Sequence, residues 1–156
     1  GRSKPFIIKN NKEKRKMSKI AVVYWSGTGH TEAMADAVAD GAKGAGAEVS
    51  VFTAHDFKPE MVDDYDAIAF GCPSMGAEQL EEGEFEPMFS SCESKLKGKR
   101  LALFGSYGWG DGEWMRTWEE TCIADGANLP CDFVICNEDP DDEAIDACKK
   151  LGAAIA

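Results

Sequence analysis

The stretch Ile20-Ala21-Val22-Val23-Tyr24-Trp25-Ser26-Gly27-Thr28-Gly29-His30-Thr31-Glu32 decides how the chain folds. Its apolar head is a short strand with no alternation, as expected where both faces of a parallel sheet are covered. The residues after it, through Gly44, carry Ala33, Met34, Ala37 and Val38 at helical spacing. Strand, tight Gly/Ser/Thr turn and helix together make a phosphate cradle. Gly27 and Gly29 let the backbone bend close to an anion, the hydroxyls of Ser26, Thr28 and Thr31 add donors, and the first helical N–H groups point at the ligand. No Lys or Arg stands in the loop, so it holds its phosphate with neutral donors.

Two other phosphate loops do not match. A Walker loop requires G-x-x-x-x-G-K-[ST], and the lysine is missing. A dinucleotide fingerprint requires Gly or Ala where Glu32 stands. An ordinary Ser/Thr cap on a glycine turn is the plain alternative, and the rest of the chain decides against it.

At 156 residues the chain suits one domain, and 44% hydrophobic residues make it globular. The net charge of -11 is unevenly spread. Residues 1–16 hold seven Lys/Arg and one acid, so residues 17–156 carry ten Lys/Arg against twenty-seven Asp/Glu and stand near -17. Such a body does not seek nucleic acid or an anionic membrane and is steered toward basic protein surfaces. Residues 1–16, polar, basic and without periodicity, read as a disordered tail of vector or leader origin, with Met17 the natural start. The six cysteines show no C-x-x-C spacing, which argues against metal or disulfide redox chemistry. No run approaches the ~20 apolar residues of a membrane span, and Phe6-Ile7-Ile8 is too short for a signal sequence. Scattered thiols without an export signal suggest the cytoplasm.

In order, the pattern predicts strands at Lys19–Trp25, Glu48–Thr53, Ala67–Gly71, Arg100–Gly105 and Ala127–Cys136. Helices are expected over Thr28–Gly44, Phe85–Ser94 and Glu113–Ala124, with a last one opened by Asp139-Pro140. Lys58 to Val62 reads as a connector or short helix. Strands alternating with helices imply a doubly wound parallel sheet. Ligands in such sheets bind at the strands' carboxyl ends near the switch point, so the loops after strands one, three and four share a crevice. The second loop is Gly71-Cys72-Pro73-Ser74-Met75-Gly76-Ala77-Glu78 and the third Gly105-Ser106-Tyr107-Gly108-Trp109-Gly110-Asp111-Gly112. A Trp between loop glycines buries poorly, and with Met75 and the phosphate loop it makes a slot for a planar nucleotide.

The motifs Y-W-S-G-T-G-H-T-E, G-C-P-S-M-G and G-S-Y-G-W-G-D-G closely resemble those of flavodoxins, over essentially all of residues 17–156. The closest likeness is to those of anaerobic clostridia and related Firmicutes. Strand five runs on to Asn137 without an inserted loop, as in the short-chain class. The resemblance implies a five-stranded parallel sheet of order 2-1-3-4-5 and non-covalently bound FMN. Ser26, Gly27, Thr28, Gly29 and Thr31 would hold its phosphate. Trp109 and Met75 would cover the two faces of its ring, and the Gly76 carbonyl would meet N5 when the flavin is half reduced. Glu78 would accept from N3, and the backbone around Ser106, Tyr107 and Gly108 would reach the pyrimidine edge. Ser74, Ala77 and Gly110 complete the expected site. His30 stands where relatives often have Asn, Ala77 where a polar residue is common, and His55 reads as loop surface.

By the same resemblance the chain is a low-potential one-electron carrier with a stabilised semiquinone and no substrate of its own. The acids Glu78, Glu81, Glu82, Asp111 and Glu113 would oppose a second electron. It would be a cytoplasmic monomer whose partners are ferredoxin-type reductases or oxidases with basic docking surfaces. The alternatives are an FMN-dependent NAD(P)H:quinone reductase, which needs an open ring face that Trp109 would cover, and a phosphate-binding module without redox chemistry.

Overall fold

A computed structural model describes residues 17–75 and 79–156. Five parallel strands, β1 (Lys19–Tyr24), β2 (Glu48–Thr53), β3 (Ala67–Gly71), β4 (Arg100–Tyr107) and β5 (Val134–Asn137), form one sheet in the order β2-β1-β3-β4-β5. The helices are α1 (His30–Gly44), α2 (Phe85–Cys92), α3 (Glu113–Ala124) and α4 (Asp142–Ile155). The chain winds outward in both directions from β1, so the strand order reverses between β1 and β3.

Side-chain alternation along the strands separates two cores. Ile20, Val22, Ala67, Ala69, Ala102 and Phe104 face α1 and α4, whereas Ala21, Val23, Ile68, Phe70, Leu101 and Leu103 face α2 and α3. The first layer is rich in alanine, and its helices touch backbone to backbone. A Cβ on Gly41 would lie 1.9 Å from the Lys149 carbonyl oxygen, and one on Gly152 would lie 2.0 Å from that of Val38. The second layer is aromatic. Phe70 meets Phe89 at 5.2 Å and 86°, and Phe85 meets Trp118 at 5.3 Å and 86°, both edge to face.

Several boundaries differ from the sequence reading: β1 ends at Tyr24 rather than Trp25, α1 begins at His30 rather than Thr28, and α2 ends at Cys92 rather than Ser94. The fifth strand is shorter than Ala127–Cys136. Asn128 makes only an isolated bridge to Arg100 before the chain leaves the ladder at Pro130, which has no N–H to give, and pairing resumes at Val134. β4 runs on to Tyr107 because Ser106 and Tyr107 pair with Cys136 and Asn137. The last helix starts at Asp142, where the Asp141 carboxylate accepts from the Ala144 N–H at 2.9 Å and caps it. The Lys58 to Val62 connector is a 3-10 helix, Pro59–Asp64, with Lys58 as its N-cap. No helix among the described residues is long and apolar enough to cross a membrane.

Candidate cofactor site

The carboxyl ends of β1, β3 and β4 open into a cleft of about 470 Å³. Gly27, Thr28 and His30, the first residue of α1, line it from the loop after β1. Gly29 is the N-cap of α1 at φ 96°, a left-handed conformation that glycine adopts without a Cβ penalty. Ser26 and Gly29 are not on the cleft wall. The Ser26 hydroxyl oxygen accepts from the N–H groups of Gly29 at 3.0 Å and Glu32 at 3.3 Å. Ser26 thus ties the N-cap and the first turn of α1 to the end of β1, which holds the positive end of the helix dipole at the cleft. Thr31 is fully buried, and its hydroxyl lies 3.0 Å from that of Ser106, tying the first turn of α1 to the end of β4.

The loop after β3 contributes Pro73, Ser74 and Met75. The Ser74 N–H donates to the Ser106 carbonyl at 2.9 Å, which fixes this loop to β4. Ser74 is 7% exposed, yet its hydroxyl has no partner among the described residues. Such a buried group costs ~1–3 kcal/mol if left unsatisfied, so this wall suits a ligand bearing polar atoms. Met75 and Gln79 exchange backbone hydrogen bonds of 2.8 and 2.9 Å across the segment that carries Gly76, Ala77 and Glu78. Those three predicted site residues lie outside the described residues.

Ser106 and Tyr107 line the cleft from the end of β4, and Gly108 and Trp109 from the loop beyond it. Trp109 is 58% exposed, a large aromatic left uncovered at a glycine-flanked tip. Gly110 is not on the wall. Arg116, one turn into α3, braces this loop with hydrogen bonds of 3.1 Å to the Asp111 carbonyl and to its carboxylate.

The sequence reading missed Trp25, Pro73 and Glu138 as lining residues. Trp25 and Pro73 stand inside the quoted motifs and could have been added from adjacency. Trp25 donates its indole N–H to Glu84 at 3.0 Å. Glu138 had no such signal. It is the one non-glycine residue at positive φ among the described residues, at 57°, and its N–H holds the Tyr107 carbonyl at 2.8 Å. Of the acids expected beside the site, Glu81 has a structural task. Partial burial raises its carboxyl, but bonds from the N–H groups of Phe85, Glu84 and Gly83 outweigh burial and hold it below its ordinary range. It therefore caps α2. His55 is an exposed residue of a 3-10 turn, 3.8 Å from Glu84.

The flavodoxin family model matches residues 22–152. The chain belongs to the flavodoxin family. It is 46% identical to the flavodoxin of Megasphaera elsdenii over 88% of this chain and 98% of that protein. Against the flavodoxin of Clostridium beijerinckii the identity is 43% over 86% of this chain and 97% of that one. The solution structure of two-electron reduced Megasphaera elsdenii flavodoxin superposes with a TM-score of 0.80, covering 87% of this chain and 97% of that one. As a flavodoxin-family protein, the chain is an FMN-binding electron carrier, and its sheet order is the flavodoxin order. The cleft fits that cofactor in kind. Neutral donors stand at one end, flat apolar walls at the other, and an unpartnered buried hydroxyl between them.

Proposed function

We propose that the cleft holds FMN with its phosphate on the loop Ser26 to Thr31 and its ring between Trp109 and Met75, and that the chain passes single electrons at low potential between partner proteins without turning over a substrate of its own. The observation that carries this is the pairing of a neutral-donor phosphate loop with an exposed Trp109 across one cleft. Bound FMN supplies reversible electron transfer at its ring. Everything else falls to the chain's residues.

The Ser26 oxygen accepts from the Gly29 and Glu32 amides, which leaves its O–H to donate at the anion end, with the dipole of α1 behind it. Thr31 and Ser106, bonded to each other, hold that loop in register with β4. Ser74 offers a hydroxyl at mid-cleft. Trp109 and Met75 exclude water from the ring faces, and Gly76 and Glu78 complete the ring end in this assignment. Glu138 puts a carboxylate on the cleft wall that sequence reading did not include. At an effective dielectric near 20, one such charge ~10 Å away disfavours a further negative charge by about 1.5 kcal/mol before screening. Asp111, tied to Arg116, is partly offset. The same reading takes residues 17–156 as the FMN domain, a cytoplasmic monomer that docks basic surfaces of reductases or oxidases.

Titrating the FMN-free protein with FMN, riboflavin and FAD tests it. One FMN should bind per chain, riboflavin more weakly for want of the phosphate, and flavin emission should be quenched on binding. Equal affinity for riboflavin, or unquenched emission, would overturn the placement. Sustained NAD(P)H oxidation in the presence of a quinone would replace the carrier with a reductase.

A further inference from the structure

At the sheet edge opposite the cleft, the C-terminal ends of α2 and α3 meet. The Gly98 N–H donates to the Gly126 carbonyl at 2.8 Å, and the Asn128 N–H donates to the Lys99 carbonyl at 2.9 Å. This stitching brings Glu93, first residue of the 3-10 turn Glu93–Lys95, against Asp125, the C-cap of α3. Their carboxyl groups are hydrogen-bonding neighbours, yet two carboxylates are acceptors only. Asp125 Oδ2 is buried and receives no donor from any group that must carry a hydrogen. Both side chains also sit at helix C-termini, where the backbone dipole disfavours negative charge. The groups facing the pair supply no cation. They are Glu86 on α2 and Cys122 on α3, and Cys122 is itself faced by Glu119. Lys95 is engaged with Asp63 at 3.2 Å, and Lys97 packs its stem by Gly126. Among the described residues no Lys or Arg pairs with either carboxyl.

We propose that Glu93 and Asp125 form a proton-binding site, in which one proton shared between the two carboxyls closes the seam between α2 and α3. The Glu93 O–H is the donor that Asp125 Oδ2 lacks. Burial first, then the hydrogen bond to Asp125, then the charges of Asp125 and Glu86 push the Glu93 carboxyl up to about 7 from 4.5. The native state therefore keeps a proton that the unfolded chain releases near pH 4.5, so this site's stabilisation is full below that pH and is lost as pH rises through about 7. Above neutrality two like charges face each other beneath the groove of about 270 Å³ that Phe89, Trp118 and Thr121 line between the helices.

The experiment follows carboxyl carbon shifts of the ¹³C-labelled, FMN-loaded protein from pH 4 to 9, alongside urea unfolding at pH 5.5 and 8.5. The Glu93 carboxyl should titrate near 7 in the parent and move toward the ordinary carboxylate range in Asp125→Asn. The urea midpoint should fall between the two pH values in the parent, and by a smaller amount in Glu93→Gln. A Glu93 titration with the bulk carboxylates would overturn the proposal. So would one near 7 that survives Asp125→Asn, or a fall in midpoint of the same size in Glu93→Gln. If either variant fails to fold, the parent titration decides alone.

Discussion

Trp109→Ala is the sharpest perturbation of the site. Trp109 is 58% exposed, which for a side chain of about 250 Å² leaves ~145 Å² uncovered. A planar ring on one face would cover about half of that, and ~70 Å² at ~25 cal/mol/Å² contributes ~1.8 kcal/mol. Aromatic pairing adds ~0.5–1.5 kcal/mol. Ordering a tryptophan at a glycine-flanked tip takes back ~0.5–1.5 kcal/mol. Burial and stacking outweigh that entropy, and the net ~0.8–2.8 kcal/mol corresponds to FMN binding weakened about 4- to 100-fold. Fluorescence titration of the FMN-free protein measures it, and the residual emission of bound flavin should rise as the quenching indole is lost. Trp109→Phe should retain most of the affinity. A change of less than about 3-fold, with unchanged emission, would place Trp109 away from the ring and refute the reasoning.

Ser74→Ala should weaken FMN binding by about 1 kcal/mol, roughly 5-fold, if the hydroxyl that lacks a partner among the described residues bonds the cofactor, and isothermal titration reads this directly. Gly152→Ala tests two opposed effects, since helix propensity favours alanine by ~1 kcal/mol while overpacking costs ~1–3 kcal/mol. With backbone oxygen 2.0 Å from the new Cβ, the clash should win, and urea denaturation should show a net loss of stability. Glu81→Gln should cost about 1 kcal/mol in the same assay, as loss of a helix cap does. Because the native Glu81 carboxyl is held below 4.5, its contribution is present above that pH and fades as pH falls through the lower native value, so the variant should lose less stability on acidification. Electron-transfer rates to a basic redox partner should fall steeply as salt is raised, because a body near -17 acts over a Debye length of ~8 Å at physiological ionic strength; stopped-flow measurement showing a flat profile would point to apolar docking.

The sequence by itself determined the order and type of the elements. Unbroken apolar runs such as Ala67–Gly71 leave a parallel strand no alternative, and Glu113–Ala124 carries its own start and stop. It also determined the three loops that meet at the cleft, because parallel crossovers put successive carboxyl ends on one edge. Tertiary structure decided what depends on partners distant in the chain. β4 continues through Ser106 and Tyr107, which read as loop, because Asn137 and its neighbours are there to pair with them. Thr31 turns inward because the Ser106 hydroxyl waits 75 residues away, and Glu81 is a cap rather than a free rim charge because the amides of Gly83, Glu84 and Phe85, at the entry to α2, converge on it. Glu138 reaches the cleft through a left-handed backbone, and the proton shared by Glu93 and Asp125 follows from two helix ends stitched side by side. Local propensity and periodicity are written in neighbours along the chain. Hydrogen bonding and charge between distant side chains are settled only once packing has brought them within reach.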